Sequence, residues 1–179
     1  DLEADAPEHA AHHGDVGKLV EAMQRCGQAL RPDAGERLVS LAGSIQRWNQ
    51  AINLVSRKDV AKLVTYHFCD SASLLPILAP HATMEVLDVG GSNGLPGLVL
   101  SALSPHLKVT ICDSRQKRRD FLEEVCRPDA SGTRGAVGFE IDRVDSARFQ
   151  NKYAARFDLI LARAVTRLKP LLRWCMPLL

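Results

Sequence analysis

Nothing in this 179-residue chain comes near a run of about 18 apolar residues, so no helix of it is expected to cross a membrane. Cysteine pairs are missing as well. Cys26, Cys69, Cys112, Cys126 and Cys175 are scattered, none at C-x-x-C spacing. An odd count at such intervals argues for buried thiols in a reducing compartment, and against a disulfide frame or a metal site. The amino-terminal stretch is acidic and polar, unlike a secretory leader, and a cytoplasmic protein is the expectation. Internal repeats and low-complexity tracts are also lacking. With 46% apolar and 25% charged residues, the composition excludes a disordered or fibrous chain. One domain with a small helical extension, monomeric, is expected.

A strong net charge is absent too, at +2, but the charge is uneven. Residues 1–60 hold seven Lys/Arg against nine Asp/Glu, whereas residues 114–179 hold fourteen against eight. The carboxy-terminal excess is mostly arginine, whose planar fork suits phosphate, although a solvated helix face explains it more simply.

What is present divides in two. Residues 1–15, with His9, His12 and His13 among prolines and alanines, are expected to be a tail without regular structure. Residues 16–82 form a helical segment in this reading, beginning with a helix over 16–30. Leu38, Leu41, Ile45, Trp48 and Ile52 then recur at spacings of three and four, one apolar stripe. Asp59 is expected to cap a third helix running to residue 78, interrupted by Pro76. The pattern changes at Thr83. Strands are predicted at 84–89, 107–112, 137–141 and 157–161, alternating with helices at 95–103, 114–126, 146–152 and from 166 onward. A Gly/Ser/Pro-rich loop fills 127–135. This alternation predicts an α/β domain over 83–179, a Rossmann-like, mostly parallel sheet with helices on both faces. Complete sheets of this type carry more than four strands, so the carboxy-terminal strands are expected to be absent from this chain.

The chemistry concentrates where the first strand ends. Asp88 closes the strand, Gly90, Gly91 and Gly94 let the backbone turn sharply, and Leu95 with Pro96 opens a helix. In open α/β sheets a nucleotide-like ligand lies beyond the carboxyl ends of the strands, and helix N–H groups there favour a carboxylate. Asp88 is expected to receive a ligand ammonium. Asp113 stands 23 residues after Gly90, a spacing that suits a carboxylate accepting ribose hydroxyls; the alternative is a cap for the next helix. A dinucleotide fingerprint needs glycine at positions one, three and six, and every start fails at the third, with Ser92, Asn93 or Pro96 there.

Four stretches resemble one family. They are Trp48-Asn49 with Asn53-Leu54-Val55-Ser56, His67-x-x-Asp70-Ser71, Asp88-Val89-Gly90 through Gly94-Leu95-Pro96-Gly97, and Ala162-Arg163-Ala164. Together they resemble the RsmG (GidB) ribosomal RNA methyltransferases, which methylate N7 of one guanine in 16S rRNA of the small ribosomal subunit. The resemblance implies a class I methyltransferase fold and S-adenosyl-L-methionine as cofactor. It implies cofactor contacts from Gly90, Leu95, Val144, Asp145 and Arg163, beside the Asp88, Gly94 and Asp113 already singled out. Ser92 stands where the family has its middle glycine; if that position needs positive φ, serine costs about 1 kcal/mol.

Guanine N7 has a free lone pair and loses no proton, so no general base is required and none is nominated. Arg143 and Arg163 are candidates for substrate positioning, with an ion pair to Asp145 or Asp142 as the plainer role for both. Arg115, Lys117, Arg118 and Arg119 either meet rRNA phosphate or pair along their helix with Glu123 and Glu124. Trp48 and Trp174 are read as core, and Asn49 and Asn53 as hydrogen bonders tying the helical segment to the sheet. Two other functions stay open: methylation of a small molecule or protein, and a catalytically weak paralogue that only binds RNA.

Overall fold

The computed structural model describes residues 6–78, 83–91, 93–127 and 137–179. Ser92 and most of the loop expected over 127–135 lie outside the described residues. Among the described residues four parallel strands form one sheet: β1 (Met84–Val89), β2 (Leu107–Asp113), β3 (Gly138–Ile141) and β4 (Leu159–Ala162). Their order is β3-β2-β1-β4, with β1 central. The chain therefore runs outward on one side of β1 and then crosses to its other side. That reversal opens a crevice at the carboxyl ends of β1 and β4, the place where such sheets take ligands.

Helices cover both faces, as the alternation predicts. On one face Val86, Val109 and Ile111 of the sheet join a core with α5 (Gly97–Leu103) and α6 (Arg119–Cys126). On the other, Leu87, Val89 and Cys112 pack with Phe149 of α7 (Ala147–Tyr153), Cys175 of α8 (Leu168–Cys175) and Leu178. Helix α5 is apolar all round because it is buried all round, lying between the sheet and α2 (Ala34–Asn49). Ser146 caps α7, its hydroxyl accepting the Phe149 amide at 3.1 Å.

The first helix corrects the expectation of an unstructured tail for residues 6–15, while residues 1–5 of that tail lie outside the described residues. Helix α1 spans Ala6–Arg25, carrying His12 and His13 within it. Val16 and Leu19 are buried, with Val20 and Met23 beside them, a stripe that anchors the helix on its neighbours. It also stops earlier than residue 30. Gly27 adopts φ +74°, its amide meets the Gln24 carbonyl and the Gln28 amide meets the Met23 carbonyl. That is a Schellman terminus, and the left-handed residue at its centre suits glycine.

The third helix does not run unbroken to residue 78, and Asp59 does not cap it. Ser56 precedes a short α3 (Arg57–Val60), its hydroxyl donating to Asp59 Oδ2 at 2.6 Å. A π-helical stretch (Leu63–Phe68), then α4 (Cys69–Ala72) and a 3-10 turn (Leu75–Ile77) follow. The wider π turn keeps Leu63, Val64 and Phe68 buried while Tyr66 and His67 face a cleft.

A shared apolar core joins the helical segment to the sheet, and one carboxylate gathers three hydrogen bonds across the join. Glu124 on α6 accepts from Trp48 Nε1 at 2.8 Å, Arg47 Nη2 at 2.6 Å and Ser44 Oγ at 3.2 Å. Asn49 works locally, its Oδ1 accepting the Leu54 and Val55 amides. Asn53 contributes its backbone carbonyl, which accepts from Arg118 Nη2 at 2.8 Å.

Candidate active site

At the carboxyl ends of the strands lies a cleft of about 850 Å³, in the size range of small-molecule and cofactor sites. Six of the eight residues expected to hold a cofactor line it: Gly90, Leu95, Asp113, Val144, Asp145 and Arg163. Asp88 and Gly94 do not.

Gly90 follows β1 with φ +75°, and a Cβ there would lie 2.9 Å from Val165 Cγ2. Any side chain at this position would be strained and would meet the loop after β4. Leu95 sits on the same rim, its amide donating to Asn93 Oδ1 at 3.2 Å. Asp113 closes β2, and its Oδ1 accepts the Arg115 amide at 2.7 Å. This two-residue turn delays the helix, so a 3-10 turn (Gln116–Arg118) precedes α6 instead of a helix starting at 114.

Val144 and Asp145 stand beyond β3. Arg143 grips the Asp145 carboxylate with two hydrogen bonds, at 2.9 and 2.8 Å. The hydrogen bond from Arg143 holds the Asp145 pKa below the ordinary carboxylate value, working against burial. The plainer role suggested for Arg143 is thus the one found, although Arg143 also lines the cleft. Neighbouring Asp142 is occupied by Ser146, Arg148 and the Arg143 amide.

Arg163 follows β4, and its Nη1 reaches Asp70 Oδ2 at 3.2 Å. This contact spans 93 residues of sequence and joins the helical segment to the sheet edge across the cleft. The next residue, Ala164, lies at φ +55° in the left-handed region. Such strain costs a non-glycine residue about 1 kcal/mol and is found where a loop is held for function.

Asp88 departs most from expectation. Its side chain points to the α5 face of the sheet, fully buried, and Oδ2 accepts the Gly97 amide at 2.8 Å. A Cβ on Gly91 would fall 2.1 Å from Oδ2, and one on Gly97 2.6 Å from it. The carboxylate is therefore walled in beneath the turn, too deep to receive a ligand's ammonium. Burial raises its pKa to about 6, against the lowering effects of the Gly97 hydrogen bond and Arg163. Gly94 at φ +85° likewise faces inward; a Cβ there would meet Leu98, Leu41 and Ile45. Strand alternation decides the outcome for Asp88, which shares the face of Val86, the face α5 covers.

His67 lines the cleft with both ring nitrogens buried and without a hydrogen-bond partner among the described residues. Burial and Arg163 hold its pKa below the usual histidine value, opposed by Asp59 and Asp70, so the ring is neutral at pH 7. The basic cluster splits. Arg118 is buried and bonded to Asn53, Arg119 pairs with Glu123 at 3.5 Å, and Arg115 lines the cleft.

Tyr66 lines the cleft and is not singled out by the sequence; Trp174, read as core, packs against the core of α7 and α8 and lines the cleft as well. The adjacency of Tyr66 to the His67-x-x-Asp70 stretch was the available signal. No sequence signal marks the cleft-facing part of Trp174, which is partly buried against the apolar cluster that includes Phe149 of α7 and Cys175 of α8.

Comparisons with known proteins agree on one family. The family model described as GidB, rRNA small subunit methyltransferase G, matches residues 35–179. A ribosomal RNA small subunit methyltransferase G of Symbiobacterium thermophilum is 32% identical over 164 residues, which cover 90% of this chain and 67% of that protein. Proteins of the same name from a Marinomonas species and an Exiguobacterium species are 31% and 34% identical, over 72% and 66% of their lengths and 89% and 90% of this chain.

Proposed function

Because the chain belongs to the GidB family of small-subunit rRNA methyltransferases, we propose that it transfers a methyl group from S-adenosyl-L-methionine to N7 of a guanine in 16S rRNA. The observation that carries this reading is the convergence of Gly90, Asp113, Val144 and Arg163 on one cleft at the sheet's reversal point. These residues come from the ends of all four strands, and only the fold unites them.

The size of the cleft and its polar lining support a ligand made of a nucleoside joined to an amino acid. In this reading Asp113 accepts ribose hydroxyls, because it ends the strand beside β1 and carries a carboxylate at the rim. Val144 supplies an apolar contact and Asp145 an acceptor for the base moiety. Gly90 lets the backbone approach without a side chain in the way. Asp88 acts one layer back: it holds the Gly97 amide, and so the bend of residues 88–97. The cofactor, when bound, supplies an electrophilic sulfonium methyl.

The chain's own contribution is then orientation. Guanine N7 carries an unshared pair and gives up no proton, so rate comes from holding it in line at near-attack distance. Arg163, neutralised by Asp70, orients phosphate, ribose or carboxylate without setting a bare positive charge against a ring that becomes cationic. Among the described residues no helix is long and apolar enough to cross a membrane, and the small subunit in the cytoplasm is the proposed place of action.

Radiolabelled methyl transfer to small-subunit particles from cells lacking this gene tests the reading. Label should map to one guanine and disappear with Gly90→Asp, whose side chain would collide with Val165 and enter the cleft. Label on protein or metabolites, with rRNA unlabelled, would overturn it.

A further inference from the structure

The end of the cleft formed by the helical segment is built differently from the end at β2 and β3. There Leu54, Tyr66, His67 and Asp70 line it, with Asp70 meeting Arg163. Tyr66 is 61% exposed, a large aromatic ring left open in a polar cleft. Its neighbour explains how the ring is held. His67 is mostly buried and meets Tyr66 edge to face, with centroids 5.1 Å apart and planes at 82°. The π-helical stretch brings these consecutive residues to the same cleft, while Leu63, Val64 and Phe68 anchor it in the core. The Tyr66 ring thus sits on a fixed support with surface available to a ligand.

We infer that Tyr66 is the stacking platform for the target base, a deduction that rests on the methyltransferase reading above. Unpaired RNA bases are recognised by stacking on aromatic side chains. The chemistry adds a second reason. N7 alkylation places a positive charge on the purine, and the negative face of an aromatic ring stabilises that charge more in the transition state than in the neutral substrate. Neither nearby group competes for the place. Arg163 is drawn to Asp70, and the neutral His67 ring has its nitrogens buried. Tyr66 therefore serves both capture of the base and the methyl step.

The test compares the unaltered chain with Tyr66→Ala and Tyr66→Phe. Methyl transfer to unmethylated small-subunit RNA and calorimetric affinity for S-adenosyl-L-methionine are measured together. Tyr66→Ala should lose roughly 10- to 100-fold in kcat/KM, part of it in kcat, with cofactor affinity and far-UV circular dichroism unchanged. Tyr66→Phe keeps the ring and should stay within about threefold of the unaltered chain, since stacking needs no hydroxyl. Full activity in Tyr66→Ala overturns the inference, as does equal damage in both variants, which would assign the role to the hydroxyl. Loss of cofactor affinity in Tyr66→Ala also overturns it by moving Tyr66 to the cofactor's end. Cofactor binding without methyl transfer by the unaltered chain refutes the parent reading, and this inference with it.

Discussion

Replacing Gly91 by alanine should be among the most damaging single-methyl additions this chain can take, and removing Asp88 should relieve it. The added Cβ would lie 2.1 Å from Asp88 Oδ2, 2.3 Å from Cγ and 2.6 Å from Oδ1. The carboxylate cannot retreat, because it is fully buried and Gly97 closes its other side. Any shift large enough to clear the methyl breaks the 2.8 Å hydrogen bond from the Gly97 amide. Such a bond to a charged group is worth about 1.5–3 kcal/mol, and overpacking a closed site costs about 1–3 kcal/mol. Gly91→Ala should therefore cost on the order of 3–5 kcal/mol at pH 7.5. For a domain of this size that is a fall in Tm of roughly 10 °C or more. In an Asp88→Ala background the colliding atoms are gone, and the same methyl should cost no more than about 1 kcal/mol. Urea unfolding of the four proteins, followed by far-UV circular dichroism, measures the coupling directly. Equal cost of the methyl in both backgrounds would refute the claim that Asp88 and Gly91 compete for one space.

Two further outcomes follow from the same geometry. Because the folded pKa of Asp88 is raised to about 6, the native state keeps a proton that the unfolded chain releases near 4. Stability owed to this group is complete below pH 4 and falls as pH rises through 6, by up to about 3 kcal/mol. Asp88→Asn should lose that decline, so the stability difference between the two proteins should change in favour of the variant from pH 4 to 7; a constant difference would contradict the assigned burial. Glu124→Ala should destabilise by about 1–2 kcal/mol, a figure reduced by the partial exposure of the site. The pKa of Glu124 is lowered by hydrogen bonds from Trp48, Ser44 and Arg47 and the charge of Arg47, which outweigh burial. Its contribution is therefore present above pH 4.5 and lost as pH falls through the lower folded value. The deficit of the variant, followed by thermal unfolding, should shrink toward pH 3.

Much of this protein was decided locally and could be read from residue order. Strand β1 was bounded correctly because a short apolar run ends at glycines. Its neighbours followed because alternating strands and helices imply parallel pairing. Gly90 and Asp113 could be read from the strand-turn pattern and its spacing, whereas the cofactor roles of Val144 and Arg163 were implied by the family resemblance; all four lie just beyond the carboxyl ends of strands and line the cleft. Tertiary structure alone decided which way side chains leave those positions. Asp88 went under the turn because α5 covers its side of β1. Local periodicity tells which residues share a face, but not which face another element will bury. The broken third helix, the Glu124 junction and the Arg163–Asp70 contact have the same origin. Each depends on partners more than 70 positions apart or on competing burial demands, and those terms exist only once the chain has closed on itself.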